Sequence, residues 1–388
     1  METVHQIFFQ DSASMAPLAE GSAGLVVTSP PYPMVEMWDD LFTAQDERIK
    51  EALEKEQGPA AFRLMHRRLA PVWEEVLRIL RPGGLACINI GDAARTMGGE
   101  FNLYPNHTFI LDHLLEIGFS VLPLILWRKQ TNAPNKFMGS GMLPAGAYVT
   151  LEHELILIVR KGSKREFSGP AEKRLRRESA FFWEERNTWF SDVWLDLKGA
   201  RQDLGQSRPR LRSGAFPFEL AFRLISMFSV QGDLVVDPFL GTGTTTCAAM
   251  AAGRSSAGFE VAPGLEGEIR SKTGEVADLA NDYNRRRLAR HLDFVRDRFE
   301  AKGPFKHRNV HYGFPVVTAQ EKELLFQRLK TVREEKGNTF IATYSGHFRK
   351  EFQKDWEGFF GPAKVKTASA KRKAREARKG PVQPKLID

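Results

Sequence analysis

The segment spanning residues 233–261 constrains the fold more than any other part of the chain. A short apolar run ends in Asp237, a turn with Gly241 and Gly243 follows, and an alanine-rich helix leads to a second apolar run that ends near Glu260. This order of strand, glycine turn, helix and strand is typical of a Rossmann-like unit. The glycines let the backbone approach a ligand, and an acid about 20 residues further on accepts from ribose hydroxyls. The turn lacks the lysine of a phosphate-binding P-loop. The segment therefore predicts an α/β fold with a nucleoside site at one edge of the sheet.

A second motif lies near the start of the chain, where the apolar residues 24–27 lead into the sequence TSPPYP at residues 28–33. The prolines end the strand and hold the next turn rigid, because they can continue neither a ladder nor a helix. The Ser29 hydroxyl, the Pro30 carbonyl and the Tyr32 ring are thereby placed at the tip of a strand. Two acceptors there can hold a planar amine while the ring stacks on its heterocycle. Taken alone, the motif is explained equally well by a strand-ending turn with an exposed tyrosine.

The chain between these motifs predicts further elements of the same sheet. An amphipathic helix closed by a Pro-Gly-Gly turn and three apolar strands are expected at residues 71–84, 85–92, 121–129 and 152–162. Asn89 and Asp92 fall at the tip of the first of these strands. Either side chain could orient Ser29, and either could instead cap the following loop.

Together these motifs resemble those of the DNA amino-methyltransferases, specifically the circularly permuted group in which the catalytic half precedes the cofactor half. The resemblance covers roughly residues 5–262. It implies a Rossmann-like methyltransferase sheet, mostly parallel with one antiparallel strand, with helices on both faces. It also implies S-adenosyl-L-methionine as the cofactor, without a metal. The residues that match the cofactor-binding motifs are Asp11, Ser12, Thr28, Phe216, Asp237, Phe239, Gly241, Thr242, Gly243, Thr244 and Glu260.

The same resemblance implies methyl transfer to an exocyclic amine of a base flipped out of double-stranded DNA. Ser29, Pro30 and Tyr32 are then the catalytic residues, with Asn89 and Asp92 as candidates beside them. Serine at the first motif position accompanies cytosine N4 more often than adenine N6 in this family. Cytosine N4 is therefore the favoured target and adenine N6 the alternative.

The sequence leaves two other classes of function open. A catalytically inactive DNA-binding partner subunit is one, although the intact motif residues argue against it, and an RNA or protein-amide methyltransferase is another. Methylation at cytosine carbon 5 is excluded because it needs a thiolate nucleophile. The two cysteines, Cys87 and Cys247, fall within a predicted strand and a predicted helix, and they predict neither a disulfide framework nor a metal site.

The formal net charge of +8 and a pI of about 9.4 favour a polyanionic partner. Basic residues concentrate at 161–165, 173–177 and 201–212, around the aromatic residues of a segment, 163–210, that the resemblance assigns to target recognition. Arginine can read base edges there and lysine can hold phosphates. A solvated basic surface over a small aromatic core is the alternative.

The end of the resemblance and the composition of the chain beyond it predict how the chain is divided. A methyltransferase domain is expected at residues 1–265, a helical or α+β appendage at 266–361 with a helix around 320–335, and a basic, disordered tail at 362–388. Apolar runs are shorter than the roughly 18 residues of a membrane helix, and the N-terminus has no signal-peptide pattern. We therefore expect a soluble, cytoplasmic protein without a membrane partner, associated with prokaryotic or phage DNA. A cognate restriction endonuclease and a second copy of the chain are further candidate partners.

Overall fold

The structure is a computed structural model that describes residues 1–129, 138–199, 216–346, 348–352 and 354–361. Its strands are β1 (Glu2–Phe8), β2 (Ala23–Thr28), β3 (Leu80–Ile90), β4 (Ala93–Met97), β5 (Glu100–Tyr104), β6 (Phe119–Arg128), β7 (Met138–Gly139), β8 (Ala147–Tyr148), β9 (His153–Lys161), β10 (Val193–Trp194), β11 (Leu234–Asp237), β12 (Ser255–Phe259), β13 (His307–Arg308), β14 (Pro315–Val316), β15 (Leu329–Glu335) and β16 (Thr339–Tyr344). Its helices are α1 (Asp39–Gln45), α2 (Glu47–Glu54), α3 (Gly58–Ile79), α4 (Asn106–Glu116), α5 (Pro170–Glu178), α6 (Trp183–Trp189), α7 (Phe218–Phe228), α8 (Thr244–Ala252), α9 (Glu266–Gly274), α10 (Val276–Lys302) and α11 (Arg349–Phe352).

Ten of these strands form one central sheet in the order β10-β6-β9-β3-β2-β11-β12-β1-β16-β15. The pairs β3–β9, β6–β9, β1–β16 and β15–β16 are antiparallel, and the remaining neighbours are parallel. Strands β9 and β16 therefore run against the other eight. The predicted mostly parallel α/β sheet is confirmed, with β9 as its antiparallel strand. Strand β16, which comes from beyond residue 265, adds a second one.

Successive side chains of the central strands point to opposite faces of the sheet, and this divides the core into two layers. Leu25, Val27 and Cys87 are buried in a cluster with residues of α7, α8 and α10. The neighbouring Val26 and Ala86 point the other way, into a cluster with residues of α3 and α4. Because successive side chains of a strand face opposite sides, a strand that is apolar throughout needs helices on both faces. The sheet is therefore the middle layer of three.

The chain beyond residue 300 departs from its predicted secondary structure. The helix expected around 320–335 is wrong, because a short 3₁₀ turn at Ala319–Glu323 is followed by the antiparallel pair β15–β16. The two strands are joined through Gly337 and Asn338, whose φ angles of 71° and 54° lie in the left-handed region that hairpin turns use. Their ladder continues through β16 to β1, so this hairpin extends the central sheet. The proposed division at residue 265 stays a prediction.

None of the described helices combines the length and apolar character needed to cross a bilayer. The predicted tail at 362–388 and the basic stretch 201–212 lie outside the described residues.

The packing of β16 generates a stability prediction. Phe340 is 2% exposed in the cluster beneath the sheet, so Phe340→Ala should lower the free energy of unfolding by about 3–5 kcal/mol. Urea denaturation measures this, with Leu115→Ala, at a side chain that is 55% exposed, as the control expected to change stability by less than about 0.5 kcal/mol. Equal effects of the two substitutions would show that β16 does not contribute to the core.

Candidate active site

The predicted site residues gather at one edge of the sheet. Strands β2, β11, β12 and β1 are adjacent and parallel, so their carboxyl ends meet at the same edge, which we call the carboxyl edge. Ser29, Asp237, Glu260 and Asp11 follow or end these four strands. Ligands of open α/β sheets bind outside the carboxyl ends of the strands. The strand order thus brings together residues that are more than 200 positions apart in the sequence.

A pocket opens at the carboxyl edge. Helix α1 and the turn before it supply apolar walls through Trp38, Leu41 and Phe42, which sequence reasoning did not single out as site residues. The predicted residues that line the pocket are Asp11, Ser12, Ser29, Phe216, Asp237, Phe239, Gly241, Thr242, Thr244 and Glu260. The pocket thus joins the first part of the catalytic motif to most of the cofactor-binding candidates.

The buried carboxylate of Asp237 connects the two motifs. It accepts hydrogen bonds from Thr28 Oγ1 at 2.6 Å, from Thr245 Oγ1 at 2.6 Å and from the Phe239 amide at 3.0 Å. Burial raises the pKa of this carboxyl to about 6, and the three donors oppose that shift. Thr28 itself is buried and lies behind the pocket wall. Its contact with Asp237 indicates that it supports the site from beneath.

Glu260 is held by the glycine turn. Its two carboxylate oxygens accept from the Gly241 and Ala262 amides, each at 2.8 Å, and burial raises its pKa above the ordinary value. Gly241 and Gly243 have φ angles of 56° and 85°, and Gly243 is the residue before the first turn of α8. Each carboxylate oxygen has lone pairs beyond the one used, so Glu260 can accept further hydrogen bonds from a ribose in the pocket.

Asp11 is also fixed before any ligand arrives. Its carboxylate accepts from the Ala13 amide at 2.8 Å and forms an ion pair with Arg68 of α3. Arg68 in turn donates to Gln45 at 3.1 Å. Arg68 and Gln45 both line the pocket and were not predicted, because neither belongs to a motif. The Glu260 carboxylate, the ion pair of Asp11 with Arg68 and the apolar walls between them suit a nucleoside.

Tyr32 forms a hydrogen-bonded cluster that sequence reasoning found only in part. Its hydroxyl donates to Glu154 Oε2 at 3.1 Å and accepts from Asn89 Nδ2 at 2.9 Å and from Ser29 Oγ at 3.1 Å. Lys129 Nζ donates to the second oxygen of Glu154 at 2.9 Å. Burial, and after it the charge of Glu154, raises the pKa of the Tyr32 phenol well above its usual value. The hydroxyl, and not only the ring, therefore has structural partners.

The rest of the catalytic loop is braced from α4. Asn106 Nδ2 donates to the Pro33 carbonyl at 3.1 Å and to the Gly91 carbonyl at 3.0 Å, which ties the loop to the end of β3. Asp92 accepts from His107 Nδ1 at 2.8 Å and from the His107 amide at 3.2 Å. Asp92 thus caps the start of α4, the alternative that the sequence left open, and the structure does not bring it to Ser29.

The two basic stretches within the described residues, 161–165 and 173–177, lie away from Ser29. Because β9 is antiparallel, the chain leaves it at the amino ends of the parallel strands, opposite the carboxyl edge. Arg165 there forms an ion pair of 2.6 Å with Asp233, just ahead of β11. Lys173 and Arg176 of α5 line the same groove as Arg165, together with Gly24 and Gly83 from the starts of two strands. Two of the three basic stretches therefore lie at the opposite edge from Ser29.

Comparison with known proteins agrees with this geometry. The sequence profile of the DNA methylase family matches residues 23–268. The chain belongs to this family. It is 50% identical to type II methyltransferase M.MthZI of Methanothermobacter thermautotrophicus over 345 residues, which are 89% of this chain and 96% of that protein. It is 47% identical to type II methyltransferase M.MjaI of Methanocaldococcus jannaschii over 300 residues, or 73% of this chain and 95% of the relative.

A solved structure is similar as well. A Thermus thermophilus protein that is assigned as a DNA modification methylase, in complex with S-adenosyl-L-methionine, is 30% identical and superposes with a TM-score of 0.54 over 69% of this chain and 92% of its own. This DNA amino-methyltransferase therefore uses S-adenosyl-L-methionine as its cofactor and DNA as its substrate.

Cys87 and Cys247 are buried, which raises the pKa of both thiols, that of Cys247 to about 12. Neither thiol is suited to attack a cytosine ring.

The role of Glu260 can be measured directly. Glu260→Ala removes a carboxylate that can accept from both ribose hydroxyls, so the dissociation constant for S-adenosyl-L-methionine should rise by the equivalent of about 1.5–3 kcal/mol. Isothermal titration calorimetry gives this constant. Glu268→Ala is the control, because Glu268 lies on α9 and outside the pocket. If Glu260→Ala binds the cofactor with unchanged affinity, Glu260 only holds the glycine turn and does not contact the ribose.

Proposed function

We propose that this enzyme methylates the exocyclic N4 amine of cytosine in double-stranded DNA, with Ser29 and Pro30 as the groups that hold the amine. The observation that carries the proposal is the Ser29 hydroxyl, which stands in the pocket wall at the end of β2, beside the cofactor-binding residues. Serine at this motif position is associated with cytosine N4 in the resembling family. The order of the motifs, with Ser29 ahead of Gly241, agrees with the circularly permuted group.

The chemistry follows from the electronic structure of the amine. The lone pair of an exocyclic amine is delocalised into the ring, which makes the nitrogen a poor nucleophile. If Ser29 Oγ and the Pro30 carbonyl accept one N–H each, a pyramidal nitrogen is favoured and its lone pair points outward. Bound S-adenosyl-L-methionine supplies an electrophilic methyl group. Orientation and electrostatic stabilisation by the chain then account for most of the acceleration.

Tyr32 has a place in the same proposal. A Cβ atom at Gly91 would lie 3.0 Å from a ring carbon of Tyr32, so the glycine allows the ring to pack closely against the end of β3. Met34 follows with a φ of 67°, and the Val35 amide closes the turn by donating to the Tyr32 carbonyl at 3.1 Å. A ring held in this way offers a preformed platform for a base that has left the duplex.

The proposal also commits the DNA to one side of the protein. A flipped base can reach Ser29 only if the duplex lies against the carboxyl edge. The loop between β6 and β9 leaves this edge, and it exposes Met142, Leu143 and Val149 at 86%, 69% and 87%. Exposed apolar residues of this kind can enter the gap that a flipped base leaves. We therefore propose that the recognition surface includes residues 138–150, which precede the segment 163–210 that the resemblance assigns to target recognition.

Two alternatives predict different products. Adenine N6 is an amine of similar chemistry, and a neutral hydroxyl can accept from either base. A catalytically inactive partner subunit would bind DNA without transferring a methyl group.

The relatives are type II methyltransferases, so we further propose a restriction-modification context with a cognate endonuclease. A homodimer is a separate proposal, tested by the mass of the protein in solution.

The product and the catalytic motif can be tested in one experiment. Unmethylated DNA is incubated with the protein and S-adenosyl-L-methionine, digested to nucleosides and examined by mass spectrometry. We expect N4-methylcytosine from the wild type and none from Ser29→Ala, which loses an amine acceptor but no cofactor contact. N6-methyladenine would move the target to adenine, and no product would favour the inactive subunit. An active Ser29→Ala enzyme, with calorimetry showing intact cofactor binding, would refute the role of Ser29.

The two edges of the sheet should differ in their effect on sequence choice. Lys173 and Arg176 lie at the amino ends of the parallel strands, which we call the amino edge. Charge reversal by Lys173→Glu with Arg176→Glu should leave the methylated sequence context unchanged. The paired substitution Met142→Ser with Leu143→Ser should slow methylation or relax its context, because it changes the surface that faces the duplex. Sequencing that maps methylated bases compares both variants with the wild type. The opposite pattern would place the reading surface on the amino edge.

A further inference from the structure

We infer that Glu154 is a positioning residue for methyl transfer, because it fixes the direction of the hydrogen bond between Ser29 and Tyr32. The inference rests on the proposed function in one respect only, that Ser29 accepts a hydrogen bond from the target amine. It applies equally to cytosine N4 and adenine N6. The residues concerned, Ser29, Tyr32, Asn89, Glu154 and Lys129, are called the acceptor relay below.

Donor and acceptor types determine where each proton of the relay lies. Glu154 Oε2 accepts from Asn89 Nδ2 at 2.6 Å and from the Tyr32 hydroxyl at 3.1 Å, and Asn89 Nδ2 also reaches the Tyr32 oxygen at 2.9 Å. An ionised carboxylate can only accept and an amide nitrogen can only donate. The reverse orientation of the Asn89 amide would set its oxygen against the carboxylate. The proton of Tyr32 can then go only to Glu154 or to Ser29, and it points to Glu154 because a charged carboxylate is a stronger acceptor than a hydroxyl.

This assignment decides the state of Ser29. The Tyr32 oxygen has committed its proton to Glu154, so toward Ser29 it can act only as an acceptor. Ser29 Oγ, 3.1 Å away, accordingly donates its own proton to Tyr32. Both lone pairs of Oγ then remain available for the N–H of an amine. Hydrogen bonds in a chain also polarise one another, so the charge of Glu154 makes Ser29 a stronger acceptor.

The fold explains why these groups meet. Tyr32 follows β2, Asn89 lies near the end of β3, and Lys129 follows β6, so three parallel strands deliver them to the carboxyl edge. Glu154 belongs to the antiparallel β9, and the pairing of Leu155 with Ile90 places it just beyond the end of β3. Lys129 Nζ, at 2.9 Å from Oε1, balances the charge of a carboxylate whose side chain is only 13% exposed.

A double-mutant cycle with Tyr32→Phe tests the relay, since the phenylalanine breaks the chain between Glu154 and Ser29. The measured quantity is the single-turnover rate of methyl transfer to a mixture of unmethylated, PCR-amplified genomic fragments, with enzyme in excess. Glu154→Gln should slow transfer by about tenfold or more in the wild-type background. In the Tyr32→Phe background the same change should alter the rate by less than about twofold. Calorimetry should show the same cofactor affinity throughout.

Glu152→Gln is the matched control, because it removes the same charge at a position two residues before Glu154. The Glu152 carboxylate accepts a hydrogen bond from Arg128 Nε at 3.0 Å and does not contact the acceptor relay. It should leave the rate within about twofold of the wild type. An equal slowing by Glu154→Gln in both backgrounds, or none in the wild type, would overturn the inference. Failure of the proposed function looks different, since the wild-type protein itself would then transfer no methyl group.

A second measurement needs no activity and decides the matter if Tyr32→Phe is inactive. With 3-fluorotyrosine at position 32, fluorine NMR follows the pKa of that phenol. Since the charge of Glu154 raises the pKa of Tyr32, Glu154→Gln should lower it, whereas Glu152→Gln should leave it unchanged. If the pKa of the phenol is unchanged in Glu154→Gln, the Tyr32 hydroxyl and the Glu154 carboxylate are not hydrogen-bonded in solution, and the inference fails.

Discussion

The site depends on one buried carboxylate, that of Asp237. Its three donors come from the end of β2, from the turn after β11 and from the first turn of α8. Burying a carboxylate is costly unless hydrogen bonds replace its hydration, and the two threonine hydroxyls and one amide do so here. The arrangement holds the strand that carries Ser29 in register with the strand that carries the cofactor turn. Methyl transfer requires that these two tips keep a fixed separation, and the hydrogen bond from Thr28 to Asp237 adds a side-chain link to the ladder between β2 and β11.

Local signals explain what could be predicted from the sequence. Pro30 and Pro31 end a strand wherever they occur, and the glycines at 241 and 243 adopt positive φ for reasons that lie within a few residues. The central strands, the position of the pocket and ten of its lining residues could therefore be expected before the fold was known. Glu154 could not, since its position beside Tyr32 follows from the antiparallel register of β9 on β3. A search for acids that precede apolar strands would have included it.

The path of the chain also decides the position of two other segments. The charged residues 329–335 favour a helix on their own, but the turn at Gly337 and Asn338 and the exposed edge of β1 provide a ladder that outweighs this preference. The basic residues near Lys173 follow the last apolar strand before the recognition segment, and their charge predicted a place on the reading surface. Reversal of the chain at β9 carries them to the other edge. Charge density alone therefore does not reveal at which edge of the sheet a basic segment lies.

The position of β1 has a consequence for biosynthesis. This strand, residues 2–8, forms a ladder on one side with residues 256–259 and on the other with residues 339–343. Neither partner exists while the ribosome is producing the first half of the polypeptide. The N-terminal segment must therefore wait, with the backbone groups of both its edges unpaired, until almost the whole protein has been translated. Slow translation of the C-terminal third would prolong the time for which this strand has no partner on either edge.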